Sequence, residues 1–180
     1  GFMYSQGKGV PQDDVQAVSW YRKAAEQGEP NAQSNLGFMY SQGKGVPQDD
    51  VQAVSWYRKA AEQGEPNAQS NLGFMYSQGK GVPQDDVQAV AWFRKAAEQG
   101  EPNAQKNLGI TYEQGRGQQK NLREAYRWFY IAHSNGKSEA MEMLKELTTK
   151  GWVSDAPVSA EDAEKIRREA DDWMRQKGWK

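Results

Sequence analysis

GFMYSQGKGVPQDDVQAVSWYRKAAEQGEPNAQSNL, residues 37–72, repeats residues 1–36 without a single change. The next unit, residues 73–108, differs from them at three positions, which are Ala91, Phe93 and Lys106. A fourth unit, residues 109–144, has diverged but keeps most of its glycines, alanines and aromatic residues in register. A fixed period of 36 residues is typical of a repeat protein, in which each unit buries its apolar side against its neighbours.

Each unit predicts two helices, the first of which runs from Pro30 to Gln42. Ala32, Leu36 and Tyr40 recur every four residues and form one apolar stripe along it. A proline suits the first helical position, and Gly43 is a common type of helix end.

The second helix of the unit begins after Asp49. Asp49 and Gln52 have the spacing of a capping box, and Gly64 ends the helix. Its predicted apolar face consists of Ala53, Tyr57, Ala60 and Ala61, extended by Trp56. A helix of about a dozen residues is marginal alone in water. The repeats are therefore expected to stack into an all-α solenoid.

The pattern from Ala32 to Gly64 resembles the Sel1-like repeat (SLR) family, relatives of the tetratricopeptide repeats. It reads Ala-x-x-x-Leu-Gly-x-x-Tyr-x-x-Gly-x-Gly-Val, then Ala-x-x-Trp-Tyr-x-x-Ala-Ala-x-x-Gly. The resemblance covers residues 1 to about 150. It implies a right-handed α/α superhelical solenoid with the first helices on a concave face. It also implies adaptor or scaffold roles in an exported bacterial protein, which is periplasmic, surface-associated or secreted.

The predicted organisation is a run of tandem repeats over residues 1–150, followed by a linker and a C-terminal capping helix over residues 151–180. The repeats are assigned to residues 1–36, 37–72, 73–108 and 109–144. Gly1 corresponds to Gly37, which lies inside a first helix, so the opening repeat is expected to be truncated and to have further repeats upstream. At the other end, Gly151 to Pro157 replaces the usual glycine turn.

The composition excludes several classes of function. With 23 Lys and Arg against 24 Asp and Glu, the chain has no basic surplus for nucleic acid. It has no cysteine, and therefore neither a disulfide nor a thiolate site. No apolar run approaches the length of a membrane span. Oligomeric state and compartment do not follow from the composition.

The candidate partner-binding residues come from the resemblance, because tetratricopeptide relatives bind ligands with the first helix of each hairpin. In the first complete first helix they are Asn31, Ser34, Phe38, Ser41 and Gln42. In the next they are Asn67, Ser70, Phe74, Ser77 and Gln78. In the one after that they are Asn103, Lys106, Ile110 and Gln114. These residues also lie outside the predicted packing stripe.

The Phe2, Phe38 and Phe74 column is the most informative feature of this surface. An exposed row of aromatic side chains could anchor a protein partner, with the neighbouring amides and hydroxyls supplying hydrogen bonds. The alternative is that each phenylalanine packs between adjacent first helices. The sequence leaves both open.

The other notable side chains have structural interpretations. The Trp-Tyr and Trp-Phe pairs of the second helices, such as Trp56-Tyr57, are interpreted as core and not as stacking platforms. Paired carboxylates such as Asp49-Asp50 are interpreted as helix caps and not as a calcium site. His133, the single histidine, has no nucleophile and acid in a triad-like arrangement.

No catalytic set, metal site or cofactor motif is found in the sequence. The resulting hypothesis is a non-catalytic scaffold that binds an envelope or host protein on its concave face. The alternative is an envelope enzyme or a protein that binds peptidoglycan or β-lactams, by analogy with some exported SLR proteins. Those relatives typically carry cysteine bridges, which this chain lacks.

Overall fold

The structure, a computed structural model, describes residues 1–7, 9, 11–149 and 158–179. These residues form two compact units, Gly1–Asp85 and Asp86–Lys180. The turn predicted from Gly151 to Pro157 lies outside the described residues. Within the described ranges, every helix is too short or too polar to cross a membrane.

All regular structure in the described residues is helical. The first unit contains α1 (Phe2–Gln6), α2 (Asp14–Glu26), α3 (Pro30–Gln42), α4 (Asp50–Glu62) and α5 (Pro66–Gln78). The second unit contains α6 (Asp86–Glu98), α7 (Pro102–Gln114), α8 (Leu122–Ser134), α9 (Ala140–Thr149) and α10 (Ala160–Gln176). Odd-numbered elements up to α7 are first helices of a repeat, and even-numbered elements up to α8 are second helices.

The helix ends follow from the sequence signals at each boundary. The carboxylate of Asp49 accepts a hydrogen bond from the backbone N–H of Gln52 at 2.9 Å, which caps α4. Pro30 occupies the first turn of α3, and Gly43 ends it with a left-handed φ of 63°. The predicted bounds of these helices therefore agree with the structure.

In the first unit, α3 lies between two second helices, α2 and α4, and packs against both. Leu36 is completely buried, and Met39 and Tyr57 are almost completely buried. Because α3 is covered on two sides, its polar residues Gln33 and Ser34 are buried with the apolar stripe. The buried stripe is therefore wider than the sequence pattern predicts.

A buried glutamine in each of two repeats links consecutive helical hairpins by hydrogen bonds. The side-chain amide of Gln33 donates to the backbone carbonyl of Ala25 at 3.1 Å and accepts from Gln63 at 2.8 Å. In the second unit, Gln105 donates to the carbonyl of Ala97 and accepts from Asn135. A buried amide is stable only when its donors and acceptors are satisfied, so each link specifies one arrangement of neighbouring hairpins.

In the second unit, α8 packs against α7, α9 and α10. Tyr126 and Phe129 are completely buried in this core. A hydrogen bond also joins α10 to α8. The guanidinium of Arg167 donates to the hydroxyl of Tyr126 at 2.8 Å. Trp173 of α10 makes an edge-on contact with Trp128, with ring centroids 5.6 Å apart.

Two glycines allow closer packing than any other residue would. A Cβ at Gly37 would lie 2.8 Å from the ring of Tyr57, so this glycine lets α3 approach α4. Gly81 has a φ of 67°, and a Cβ there would lie 2.2 Å from the backbone carbonyl oxygen of Asp50. The loop after α5 can therefore rest on the start of α4 only if residue 81 is glycine.

Replacing Gly81 by alanine tests this close approach. Gly64 is the matched control, because it also has a positive φ, 92°, but open space where a Cβ would lie. We expect Gly64→Ala to lower the free energy of unfolding by about 1 kcal/mol through backbone strain. Gly81→Ala should cost a further 1–3 kcal/mol, roughly, through steric overlap. Urea unfolding followed by circular dichroism measures both, and equal losses would contradict this account of the packing.

Candidate functional site

Two similar pockets, of about 120 and 160 Å³, lie on the first-helix side of the first unit. The first is lined by Phe2, Ser5, Gln6, Asp14, Tyr21, Asn35, Phe38, Met39 and Lys44. The second is lined by Phe38, Ser41, Gln42, Asp50, Tyr57, Asn71, Phe74, Met75 and Lys80. Each of the nine lining residues of the second pocket lies 36 positions after one of the first, so the repeat generates the same pocket twice. We call the surface that carries both pockets the first-helix surface.

Phe38 lines both pockets and Phe74 lines the second. The exposed fractions of these two residues are 43% and 44%. A side chain that only packed between helices would be buried, whereas these rings are covered on one side and open on the other. Packing between helices therefore does not account for the whole of each ring, and contact with a partner stays a prediction.

Polar groups surround the aromatic rings that line the second pocket. The hydroxyl of Ser41 donates to the backbone carbonyl of Phe38 at 2.9 Å and lies 3.3 Å from the hydroxyl of Tyr57. The ammonium of Lys80 lies over the ring of Phe74, 5.7 Å from its centroid, in a cation–π contact. Together with Asp50 and Asn71, these groups offer a ligand both charges, amides and hydroxyls.

The raised pKa of Tyr57 indicates that the base of this pocket has low polarity. Burial, with a smaller contribution from the nearby carboxylate of Asp50, raises the pKa of its hydroxyl to about 12, while the hydrogen bond with Ser41 acts in the opposite direction. The neutral phenol is therefore the form that the folded chain accommodates.

Most of the residues that the sequence predicted for this surface are accessible. Those that are exposed or partly exposed are Asn31, Phe38, Ser41, Gln42, Asn67, Phe74, Gln78, Asn103, Lys106, Ile110 and Gln114. Some of them already have partners within the chain. Asn67 and Asn103 donate to the capping carboxylates of Glu65 and Glu101, each at 2.8 Å. The ammonium of Lys106 pairs with Glu139 at 3.3 Å.

Three predicted residues are not on the accessible surface. Ser34, Ser70 and Ser77 are buried, with exposed fractions of 8%, 5% and 9%. For Ser34 the reason is the packing of α3 against both α2 and α4, which leaves only a narrow strip of the helix open. The prediction that these serines lie outside the packing stripe is therefore wrong.

The pockets also contain residues that the sequence pattern did not indicate. They are Asn35 and Asn71, Asp14 and Asp50, and Lys44 and Lys80. The asparagines lie three residues before Phe38 and Phe74, so helical periodicity places them on the same face and could have identified them. The aspartates belong to second helices and the lysines to loops, so only the tertiary arrangement brings them to the surface.

In each aromatic pair of the second helices, the second residue is buried in the core. Tyr57, Phe93 and Phe129 are buried, as predicted, and Trp128 is buried as well. Trp20 is 50% exposed, so the prediction of core is wrong there. The covering of Trp128 by Trp173 explains the burial of this tryptophan in the second unit.

The described residues contain no group of three or more His, Cys, Asp and Glu side chains that could hold a metal ion. His133 is partly buried, and no hydrogen-bond partner reaches its Nδ1 atom in the described part of the chain. The Asp13 and Asp49 carboxylates are helix caps, as predicted, each with one bond to a backbone N–H.

Comparison with known proteins identifies the repeat. The family model described as Sel1 repeat matches four times, at residues 1–29, 30–65, 66–101 and 102–137. The chain belongs to the Sel1 repeat family. The prediction of an all-α solenoid of SLR repeats is therefore confirmed.

Solved structures support the same assignment. A Sel1 repeat protein from Oxalobacter formigenes is 34% identical, with a TM-score of 0.77 over 95% of this chain and 69% of that one. A protective antigen of uropathogenic Escherichia coli strains, which displays an SLR fold, is 37% identical with a TM-score of 0.80. That match covers 94% of this chain, which spans only 36% of the antigen.

A more distant relative is cysteine-rich protein B of Helicobacter pylori. It is 27% identical with a TM-score of 0.58, over 74% of this chain and 96% of that one. No curated protein matches the sequence significantly.

The raised pKa of Tyr57 predicts a loss of stability in alkali. A tyrosine in the unfolded chain ionises near pH 10, whereas Tyr57 of the folded chain stays neutral up to about pH 12. Its contribution is therefore complete below about pH 10 and is lost as the pH rises to about 12. The loss amounts to roughly 2–3 kcal/mol.

We expect Tyr57→Phe to remove this part of the alkaline destabilisation. Phenylalanine is compatible with the position, because Phe93 and Phe129 occupy it in later repeats and are buried. The measurement is the free energy of unfolding of both proteins from neutral to strongly alkaline pH. Parallel curves for the two proteins would show that the hydroxyl does not titrate as described.

Proposed function

We propose that the protein is a non-catalytic scaffold that binds a segment of a partner protein on its first-helix surface. Sel1 repeat proteins generally act as protein–protein interaction scaffolds. The observation that carries the finer proposal is the pair of repeated pockets around Phe38 and Phe74. The accessible first-helix residues of the second unit, Asn103, Ile110 and Gln114, form the corresponding candidate surface there.

The size of the pockets supports a macromolecular ligand. Sites for small molecules usually enclose about 300–1,000 Å³. The pockets here, at about 120 and 160 Å³, are smaller and shallow enough to take single side chains of a larger molecule. A series of small pockets with exposed aromatic rings matches the way that protein interfaces concentrate their binding energy.

The proposal includes a bacterial origin and export, with an envelope or host protein as the partner. One of the structural relatives is described as a protective antigen of uropathogenic Escherichia coli strains, and this description supports the proposed export. Cell fractionation of the bacterium that encodes the protein tests this part. Recovery of the protein exclusively in the cytoplasm would refute export without affecting the binding surface.

Replacement of Phe38 and Phe74 by serine tests the binding surface. The double variant should weaken capture of the partner by at least tenfold, on the order of the loss of one interface hot spot. Helicity by circular dichroism should be unchanged, because both rings are already more than two-fifths exposed. The measurement is recovery of the partner from envelope and host extracts with immobilised protein.

The matched control replaces Val15 and Val51 by serine. Both valines are 65% exposed and lie on the second helices, outside the lining of the two pockets. Their replacement should leave capture unchanged. Equal capture by the phenylalanine variant and the parent would exclude the first-helix surface.

Incubation with a β-lactam and with peptidoglycan fragments tests the alternative of an envelope enzyme or cell-wall binder. The scaffold proposal predicts neither turnover nor saturable binding. Turnover of either compound would replace it with an enzymatic function.

A further inference from the structure

We propose that the partner segment carries arginine side chains, which enter the two pockets and pair with Asp14 and Asp50. This inference rests on the proposed function, since it names the chemistry of the segment bound by the first-helix surface. It follows from a comparison of the same position in successive repeats.

Asp50 is the first residue of α4 and lines the second pocket, but it is not the residue that caps the helix. The capping bond to the backbone N–H of Gln52 comes from Asp49. Among the residues that the structure describes, none forms an ion pair or hydrogen bond with the Asp50 carboxylate. Asp14 has the same position on α2 and in the first pocket.

The corresponding carboxylate in the second unit, that of Asp86, holds a guanidinium. Arg116 donates to both of its oxygens, with Nη2 2.9 Å from Oδ1 and Nε 3.3 Å from Oδ2. Such a two-point pair has the geometry in which arginine binds carboxylates most strongly. The position is therefore able to bind a guanidinium in this fold.

The residue that corresponds to Arg116 is Lys80, and it does not take the place of the arginine. The backbone is in the same place, because Gly81 and Gly117 make the same close approach to the carbonyl oxygens of Asp50 and Asp86. The ammonium of Lys80 instead lies over the ring of Phe74. The two repeats also differ at the position of the contacted ring, which is Phe74 in one and Ile110 in the other. Lys80 therefore has an aromatic ring to contact, and it leaves the carboxylate of Asp50 to a ligand.

The rest of the pocket suits a guanidinium. Phe38 and Phe74 line it, with the Lys80 ammonium over the Phe74 ring, and Asn71 and Ser41 have oxygen atoms that can accept from the N–H groups of a guanidinium. The half-buried position of Asp50 strengthens the charge-assisted bond relative to one in open water. Because arginine presents a planar fork and lysine a point charge, the pocket should prefer arginine.

The binding test uses a fluorescein-labelled peptide in which arginines alternate with Gly-Ser pairs, titrated with the full chain and followed by anisotropy. The same peptide with citrulline keeps the shape and removes the charge. We expect the double variant Asp14→Asn with Asp50→Asn to bind the arginine peptide about tenfold more weakly, as for loss of charge-assisted hydrogen bonds. The citrulline peptide should bind the parent protein with similarly reduced affinity.

The matched control is Asp13→Asn with Asp49→Asn. It also removes two negative charges, each from the position next to the tested aspartate. The helix caps are preserved, because asparagine can replace aspartate as a cap, as the side chain of Asn121 does at the start of α8. It should change the affinity less than twofold. Equal weakening by both double variants would show only general electrostatic attraction and would overturn the proposal.

A second experiment places an arginine of the chain itself in each pocket. Lys44→Arg with Lys80→Arg leaves the net charge unchanged and should reproduce the Arg116 pair at Asp14 and Asp50. We expect this variant to bind the arginine peptide about tenfold more weakly as well. Unaltered binding would also overturn the proposal.

The same probes separate this inference from the proposed function. If the citrulline and arginine peptides bind equally and Phe38→Ser with Phe74→Ser weakens both, the surface binds peptides without using the carboxylates. The arginine proposal then fails and the scaffold proposal stands. If neither peptide binds the parent, the arginine proposal fails, and partner capture by the phenylalanine variant decides the scaffold proposal on its own.

Discussion

The close contact between Gly81 and the carbonyl oxygen of Asp50 determines how the pieces of the first-helix surface meet. It holds the loop after α5 against the start of α4, at the edge of the second pocket. Because that loop carries Lys80, the contact also places a cation beside the Phe74 ring. A close approach that only glycine permits therefore brings a carboxylate, an aromatic ring and an ammonium to one pocket.

Local sequence signals accounted for the helices and their ends. Asp49 caps a helix, Pro30 begins one, and Gly43 ends one, and each of these effects acts within a few residues of the chain. The repeat period supplied the rest of the fold within each unit, because neighbouring hairpins of similar sequence pack in the same way. The predicted fold class was correct for these reasons.

The candidate site was predicted only in part. Phe38 and Phe74 are exposed, but Ser34 is buried because α3 has a second helix on each side. Burial of that kind depends on the number of neighbours, which helical periodicity within one segment does not report. Asp50 was missed for a related reason, since it resembles a capping residue in sequence and becomes part of a pocket only when the next first helix is in place.

Variation between repeats is informative where the backbone position is the same, as it is at Gly81 and Gly117. Lys80 and Arg116 occupy one position, yet their side chains have different partners. In the same way, Trp128 is covered by α10 while Trp20 is half exposed. The repeats thus provide their own comparison, in which corresponding positions have different partners in different surroundings.

The amide link through Gln33 has an implication for the history of the chain. Each of the first three 36-residue units contains the same three residues of this link, at the positions of Ala25, Gln27 and Gln33 in the first unit. Recombination between identical stretches of the gene can therefore insert or delete a whole unit without leaving an unsatisfied buried amide. The length of the first-helix surface can change in this way within one generation, while the interior of every remaining unit is inherited unaltered.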